Sequence, residues 1–435
     1  MGPEASLHPV LFKSFRAKTG HVEPREAVTV RWQYHRHAER PAPRSDSLML
    51  GDAGSGAATP FAAGTDPQSI RGNPDRSGKR PSQPVDSAAR RSSLRVAYIG
   101  QGHGTSLHRA SALRRLGHRV TLIDPWAWLG TSRVASLWVY RTGALGIDRV
   151  IAHALLRATS KARPDLIFVN QGEFLGPVTL QLLRRLGAPI VNYMNDNPFT
   201  DRDGRRFVNY RRALPYYDLV VAVRNETASQ AARFGARRVK RVWMTADEVA
   251  HRPRELDHDL QARYSSQVAF IGTWMPERGP FLAELVHQGV PLSLWGDRWQ
   301  KAAEWPIIAP HWRGPGLHNE DAYAAVIQSA EICLGLLSKG NRDSHTTRSI
   351  EIPALGGLLC AERTSEHLEL YKEGVEAVFW QDATECAAIC NYLLSHQPLR
   401  HQIAARGHER ALRNNHFNEP MLDSVIEEVL NLSDD

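Results

Sequence analysis

The sequence predicts an α/β protein of two Rossmann-like units facing each other across a cleft, preceded by a disordered extension. Three observations predict it. From residue 94 onward, short apolar runs alternate with amphipathic helical segments, the pattern of a parallel sheet covered on both faces. That series is interrupted by the polar segment 245–266 and then begins again. A chain of 435 residues also exceeds one ordinary core, at about 100 to 200 residues per domain.

The extension covers 1–93. It is rich in Arg, Pro, Ser, Gly and Ala, with no helical or strand period, and cannot bury enough apolar area to offset about 1 to 2 kcal/mol of backbone entropy per residue. The first βα unit follows: a strand at 94–99, a glycine turn at 100–104 and a helix at 106–116 with Leu107, Ala110 and Leu113 on one face. Strands are predicted at 119–123, 165–169, 189–193, 218–223 and 239–244, and helices at 143–159, 176–186 and 225–234. The second series places strands at 268–271, 291–295, 332–337, 357–360 and 377–380. Three amphipathic helices close the chain at 383–395, 398–414 and 419–430. The expected division is an N-terminal unit over 94–250, a C-terminal unit over 266–415 and a C-terminal helix over 416–435. The cleft between two such units is the natural place for a ligand.

Composition narrows the function classes. The net charge is +8, but residues 1–93 hold 14 Lys/Arg against 9 Asp/Glu, so the folded part is only weakly basic and offers no nucleic-acid footprint. The four cysteines, Cys333, Cys360, Cys386 and Cys390, contain no C-x-x-C pair and suggest neither a disulfide framework nor a zinc site. No run approaches the roughly 18 apolar residues of a membrane span, and the N-terminus lacks a signal-peptide core. The expected location is a reducing cytoplasm, the basic arm leaving room for a peripheral position at the inner membrane face. Oligomeric state is not legible.

The richest motif runs from Asn341 to Gly357, NRDSHTTRSIEIPALGG, between two apolar runs. It sets His345, Thr346, Thr347, Arg348 and Glu351 at the turn leaving a parallel strand, where a doubly wound sheet holds phosphorylated ligands on helix N–H groups. A nucleotide-sugar site is the working expectation. Arg348 would hold phosphate while Glu351, three residues on and on the same helical face, grips the ribose; a plain salt bridge between them is the alternative. Pro353 removes a backbone donor just after Glu351, so the helix is expected to start late or kink.

A second strand-to-helix junction, Gly272-Thr273-Trp274-Met275-Pro276-Glu277-Arg278, puts Arg278 near a first helical turn. Two cations from different strand ends of one unit would suit two phosphates. An exposed helix arginine is the bland reading.

In the first unit, Gly100-Gln101-Gly102-His103-Gly104-Thr105 resembles a dinucleotide loop but has Thr105 where the last glycine belongs. Gly102, Gly104 and Thr105 are read as a backbone cradle facing the cleft. Asp124 stands about where a ribose ligand would. Asp201-Arg202-Asp203 has the D-x-D spacing of a metal-dependent diphosphate site but falls in a polar loop, so a solvated loop is expected and no metal is assigned. Asp196, at a strand's carboxyl end, is a candidate base, with a turn cap as the alternative.

These residues resemble the CgeB-like glycosyltransferases, within the wider two-Rossmann (GT-B) group. The likeness is carried by Phe270 to Arg278, by Leu294-Trp295-Gly296-Asp297-Arg298-Trp299, and above all by His345 to Ala354, continuing through Glu362-Arg363-Thr364-Ser365-Glu366-His367 and Glu373-Gly374-Val375-Glu376. Asn170-Gln171-Gly172-Glu173 and Asn195-Asp196-Asn197-Pro198 are similar in the first unit. The resemblance implies transfer of a hexosyl or related group from a nucleotide-diphosphate sugar to an acceptor held mainly by the first unit, with no obligatory metal or other cofactor. It implies donor contacts from Gly272, Thr273, Arg278, His345, Thr346, Thr347, Arg348, Glu351, Arg363, Thr364 and Glu366, with Glu173 on the acceptor side. Asp343 and Glu351 have the eight-residue spacing of the acidic pair at retaining donor sites, with Asp343 in place of the commoner Glu.

Inversion would want a first-unit base, Asp196 or His103, whereas retention could use the departing phosphate. The rival classes are an NAD-dependent oxidoreductase using the first glycine turn, and a non-catalytic nucleotide-sugar-binding protein. The acceptor, whether glycan, lipid, protein or small molecule, is not readable.

Overall fold

The computed structural model describes residues 93–129 and 133–431. The extension expected over 1–93 lies, apart from Ser93, outside them. The first lobe runs β1 (Arg95–Ile99), α1 (Gly104–Arg115), β2 (Arg119–Ile123), α2 (Pro125–Leu129), α3 (Arg133–Thr142), α4 (Ile147–Lys161), β3 (Leu166–Asn170), α5 (Pro177–Arg184), β4 (Ile190–Met194), α6 (Val208–Ala213), β5 (Leu219–Ala222), α7 (Asn225–Arg233) and β6 (Val239–Arg241). The second lobe continues with α8 (His258–Tyr264), β7 (Ser266–Ile271), α9 (Arg278–His287), β8 (Leu292–Trp295), α10 (Trp305–Ile308), β9 (Trp312–Gly314), α11 (Glu320–Ser329), β10 (Ala330–Gly335), α12 (Thr347–Ala354), β11 (Leu359–Glu362), α13 (Ser365–Leu370), β12 (Val378–Trp380), α14 (Ala383–Leu394) and α15 (Gln397–Asn414). The last helix is α16 (Asn418–Asn431).

Each lobe is a six-stranded parallel sheet. The orders are β2-β1-β3-β4-β5-β6 and β12-β11-β10-β7-β8-β9. Central strands such as β3 and β4 are buried at every position, as expected of apolar strands with helices on both faces. Alternate residues feed opposite faces: in the second lobe Cys360 joins Phe270, Leu282 and Val378 on one side, while Leu359 and Ala361 join Ile271, Ile350 and Phe379 on the other.

The chain crosses between lobes twice, and the crossings bind each other. After β6 it leaves the sheet at Val242, earlier than the expected strand over 239–244, and Ala246 bridges to Phe417 on the return. Asn418 accepts from the Thr245 hydroxyl at 2.7 Å and donates to Asp247 at 3.0 Å. Arg115 of α1 clasps Asp247 at 2.9 Å, Glu248 at 2.7 Å and Glu419. Beyond the crossing, α16 lies on the first lobe, where Leu422, Val425, Ile426 and Val429 share a core with Val96, Tyr98 and Phe168.

Besides the early end of β6, the structure departs from expectation in three further places. The helix predicted over 143–159 begins at Ile147, because Gly143, Ala144 and Gly146 take positive φ and break the chain between α3 and α4. Edge strand β9, only three residues long, gave no readable pattern. Three of the four cysteines, Cys360, Cys386 and Cys390, meet in the second-lobe core, although their spacing announces no shared site.

Leu422→Ala, at a fully buried site joining α16 to the first lobe, should cost roughly 2 to 5 kcal/mol in denaturant unfolding. Leu412→Ala, half exposed on α15, should change stability by no more than about 0.5 kcal/mol.

Candidate functional site

In the second sheet the chain winds outward from β7 to β9, returns to β10 and winds the other way, so the topological switch point lies between the neighbours β7 and β10. A doubly wound sheet opens its ligand crevice at that point. Two arginines cross it. Arg278, the first residue of α9 on the β7 side, donates to the Leu336 carbonyl beyond β10 at 3.2 Å and to Thr273 O at 2.8 Å. Arg348 of α12, on the β10 side, donates to Ile271 O at the end of β7 at 3.2 Å. Neither guanidinium has a carboxylate within 4.0 Å among the described residues, and Arg278 Nε is buried without a partner there. Burial first, and the like charge of Arg348 next, push the Arg278 pKa down to about 10.

Glycine is required at this junction. A Cβ on Gly272 would lie 2.7 Å from the Phe270 ring and 3.2 Å from Arg278 Nη1, and one on Gly296 would stand 1.9 Å from Gly272 O. The backbone is therefore free to approach whatever the arginines hold.

Arg348 and Glu351 share α12, as expected. Ser349 reaches back to the Thr346 N–H at 3.0 Å and closes the helix start, and Arg348 donates to the Thr347 hydroxyl at 3.3 Å. Pro353 neither delays nor ends the helix; it sits in its last turn. The Ser349 carbonyl that loses the Pro353 donor receives the Tyr371 hydroxyl at 2.8 Å instead. Glu351 is 3% exposed and accepts from the Tyr323 hydroxyl at 2.5 Å, with His251 Nε2 at 3.6 Å. Burial alone would raise its pKa, but His251, Arg348 and the Tyr323 and Thr347 hydroxyls together hold it below the usual carboxylate range. His251 takes the Asp247 N–H on Nδ1 at 2.8 Å, and its burial lowers its pKa.

Around this centre, second-lobe loops meet the first lobe. Asp343 is buried against Arg224, which donates to it from Nε at 2.8 Å and from Nη2, while its other oxygen accepts the Ser338 N–H at 3.2 Å. Asp343 was expected beside the transferred sugar; the structure commits one of its oxygens to a lobe-to-lobe contact with Arg224 and the other to the Ser338 N–H of its own loop. Asn341 reaches Asp196 and Asn197 at 3.3–3.4 Å, and Arg342 pairs with Glu226. His345, fully buried, accepts the Met244 N–H on Nε2 at 3.0 Å, so its Nδ1 carries the proton donated to Glu366 at 2.6 Å. Glu366 also takes Arg241 at 2.8 Å. Thr364 caps α13, donating to Ser344 O and accepting from the His367 N–H. Arg363 is committed elsewhere: Glu373, Glu385 and the Phe379 carbonyl take its donors at 2.6–3.3 Å, the anion here being the protein's own.

On the first-lobe side, His103 is exposed at the start of α1, followed by Gly104 and Thr105, whose hydroxyl accepts from Arg109 at 3.3 Å. Asp124 does not wait for a ribose: it accepts the Gly102 N–H at 3.0 Å and the Trp126 and Ala127 N–H groups at 2.9 and 3.3 Å. Glu173 is buried against Arg206 at 2.6 Å, and Asp196 lies 3.6 Å from Arg206 and 3.8 Å from Arg202. Of the D-x-D pair, Asp201 is exposed and Asp203 is held by Arg202 at 2.5 Å.

Nothing in the linear chain pointed to Tyr323, His251 or Arg224, each brought in from a different element. Arg109 was hidden on the apolar face of α1, where it is buried over the Tyr193 ring and donates to Asn170 at 2.9 Å. Asn195-Asp196-Asn197-Pro198, the junction Gly272 to Arg278 and the run from Asn341 offered a signal, as polar clusters at strand ends.

Residues 103–244 match the family described as Glycosyltransferase Family 4, and residues 278–425 the family described as Glycosyl transferase-like. No curated protein sequence matches the chain. Among solved structures it is similar to HepE of Anabaena in complex with UDP-glucose, with TM-score 0.58 and 14% identity over 78% of this chain and 99% of that one. Sucrose-phosphate synthase of Thermosynechococcus elongatus is similar at TM-score 0.56 and 13% identity, over 78% and 99%. The α,α-trehalose-6-phosphate synthase of Burkholderia multivorans is similar at 0.54 and 12%, over 78% and 99%. Two parallel sheets with ligand-side loops facing each other define the GT-B class. With a glycosyltransferase family model on each lobe, the chain belongs to the GT-B glycosyltransferases.

Arg224→Ala would leave the Asp343 carboxylate buried and unpaired, and should destabilise the protein by about 3 to 5 kcal/mol. Adding Asp343→Asn should recover part of that loss, as read from the two thermal unfolding midpoints.

Proposed function

We propose that this chain moves a sugar from a nucleoside-diphosphate donor, held by the second lobe, to an acceptor on the first-lobe side of the cleft. The observation that carries the proposal is the pair of guanidiniums crossing the β7/β10 switch point, neither with a carboxylate within 4.0 Å among the described residues. A diphosphate is the ligand that two such cations and the start of α12 suit. HepE, a structural neighbour, binds UDP-glucose, which makes UDP-sugars the first donors to test.

In this reading Gly272 and Thr273 let the diphosphate approach the backbone. Arg278 and Arg348 share the charge that builds on the leaving phosphate as the anomeric C–O bond breaks, a preorganised effect worth a few kcal/mol per donor. Glu351, kept ionised and fixed by Tyr323, accepts the ribose hydroxyls. His345, Thr346 and Thr347 shape the turn, and Thr364 and Glu366 border the sugar. Asp343 and Arg363 act indirectly, the first by holding the lobes together and the second by stiffening the β11 end. On the acceptor side His103 is the freer base, since Asp196 lies between Asn341 and two arginines. Because guanidiniums supply the positive charge, no divalent ion is required, and turnover should withstand a chelator.

The segments 94–250 and 266–415 serve as acceptor lobe and donor lobe, and the helix Asn418–Asn431 returns to the first. CgeB-like membership and a cytoplasmic site of action belong to the same proposal. A nicotinamide enzyme is disfavoured by Asp124, whose oxygens the loop itself occupies.

Arg348→Ala should lower donor turnover by ~100- to 1,000-fold or more, with the melting temperature close to that of the parent; parent-like transfer would remove Arg348 from its role.

A further inference from the structure

Three of the four cysteines converge in the second-lobe core. Cys386 and Cys390 stand one turn apart on the same face of α14, and Cys360 projects towards them from β11. Their sulfurs all lie within 4.8 Å of one another, the three side chains are fully buried, and all are free thiols. The fourth is an internal contrast. Cys333 is as deeply buried, on the adjacent strand β10, but its side chain enters the opposite core and donates to the Ile327 carbonyl.

We propose that Cys360, Cys386 and Cys390 form a metal site for a thiophilic divalent ion of zinc-like chemistry, which staples α14 to the sheet. The spacing suits a single ion: Zn–S bonds of about 2.3 Å set sulfurs roughly 4 Å apart, so small side-chain adjustments complete the site. An iron–sulfur cluster would hold its thiolates farther apart, across the width of its inorganic core. Soft sulfur donors also favour such an ion over the hard cations that carboxylates select.

The ion displaces the protons of all three thiols, which pass to solvent, because a thiol bound to such an ion is deprotonated; the three thiolates leave one net negative charge, and a water enclosed on folding completes the four-coordinate shell. Loading then accompanies folding, because the closed core has no open path to the sulfurs. The site is remote in function from the cleft but mechanically linked to it: α14 packs on α9, whose first residue is Arg278. The inference is independent of the donor-site reading, since it concerns metal content and stability rather than transfer.

The test uses the full chain produced in zinc-supplemented cells, desalted against a weak chelator and analysed for metal by mass spectrometry. Stoichiometric zinc is expected in the parent and in Cys333→Ser, with loss of at least ten-fold in Cys386→Ser and Cys390→Ser. Refolding the parent in Cd2+ should produce the ultraviolet thiolate-to-cadmium charge-transfer band and raise the melting temperature above that of protein refolded with chelator. A parent free of metal, with no cadmium band and a melting temperature indifferent to either ion, would overturn the proposal. So would a disulfide between any two of the three cysteines in the unreduced protein. Should the serine variants fail to fold, metal content and the cadmium band of the parent decide the matter alone.

Discussion

Two guanidiniums crossing one strand boundary are the feature around which the second lobe is organised. Like charges in a half-buried crevice repel, and the arrangement persists because each arginine is tied to the carbonyls of the opposite strand end: Arg278 to Leu336, Arg348 to Ile271. Carbonyl dipoles hold a cation in place without cancelling its charge, whereas a carboxylate would do both. The positive potential therefore remains available to an anion. Gly272, Gly296 and the start of α12 bring backbone to the same point.

Three carboxylates near this centre, Glu351, Glu366 and Asp343, make their closest contacts with other groups. Glu351 is held by Tyr323 and His251, Glu366 by His345 and Arg241, and Asp343 by Arg224. Several of these pairs join the lobes or the linker. The Met244–His345–Glu366–Arg241 chain ties the end of the first sheet to α13, and Arg224–Asp343 ties β5 to the loop after β10. The residues that position the candidate site are thus also those that hold the two halves of the cleft together. The crossing segments around Ala246 and Asn418, with α16 packed back on the first lobe, supply the second tether.

Much of the architecture was legible because βα repetition leaves a strong periodic record. Buried parallel strands need unbroken apolar runs, so β1, β3, β4, β5 and β10 could be placed within a few residues. The exceptions have local causes: positive φ at Gly143, Ala144 and Gly146 split one expected helix, and three-residue β9 is too short to show a period. In the candidate site, Arg278, Arg348 and Glu351 were readable because they follow strand ends in sequence. Tyr323, His251, Arg224 and Arg109 were not, since each arrives from an element whose own pattern reports only helix or linker.

By itself, the sequence determined which segments are strands and helices, that they form two successive α/β units, and which short polar runs lie at strand ends; those properties follow from local periodicity and turn chemistry. Tertiary structure alone decided which charges remain unneutralised. Asp343 and Arg363 look as promising as Glu351 and Arg348 in the linear chain, yet partners on other elements, Arg224 for the one and Glu373 with Glu385 for the other, engage their charges. The meeting of Cys360 with Cys386 and Cys390 was decided in the same way, by the packing of α14 on β11. Electrostatic pairing and side-chain convergence depend on distances in space, and separation along the chain does not encode them.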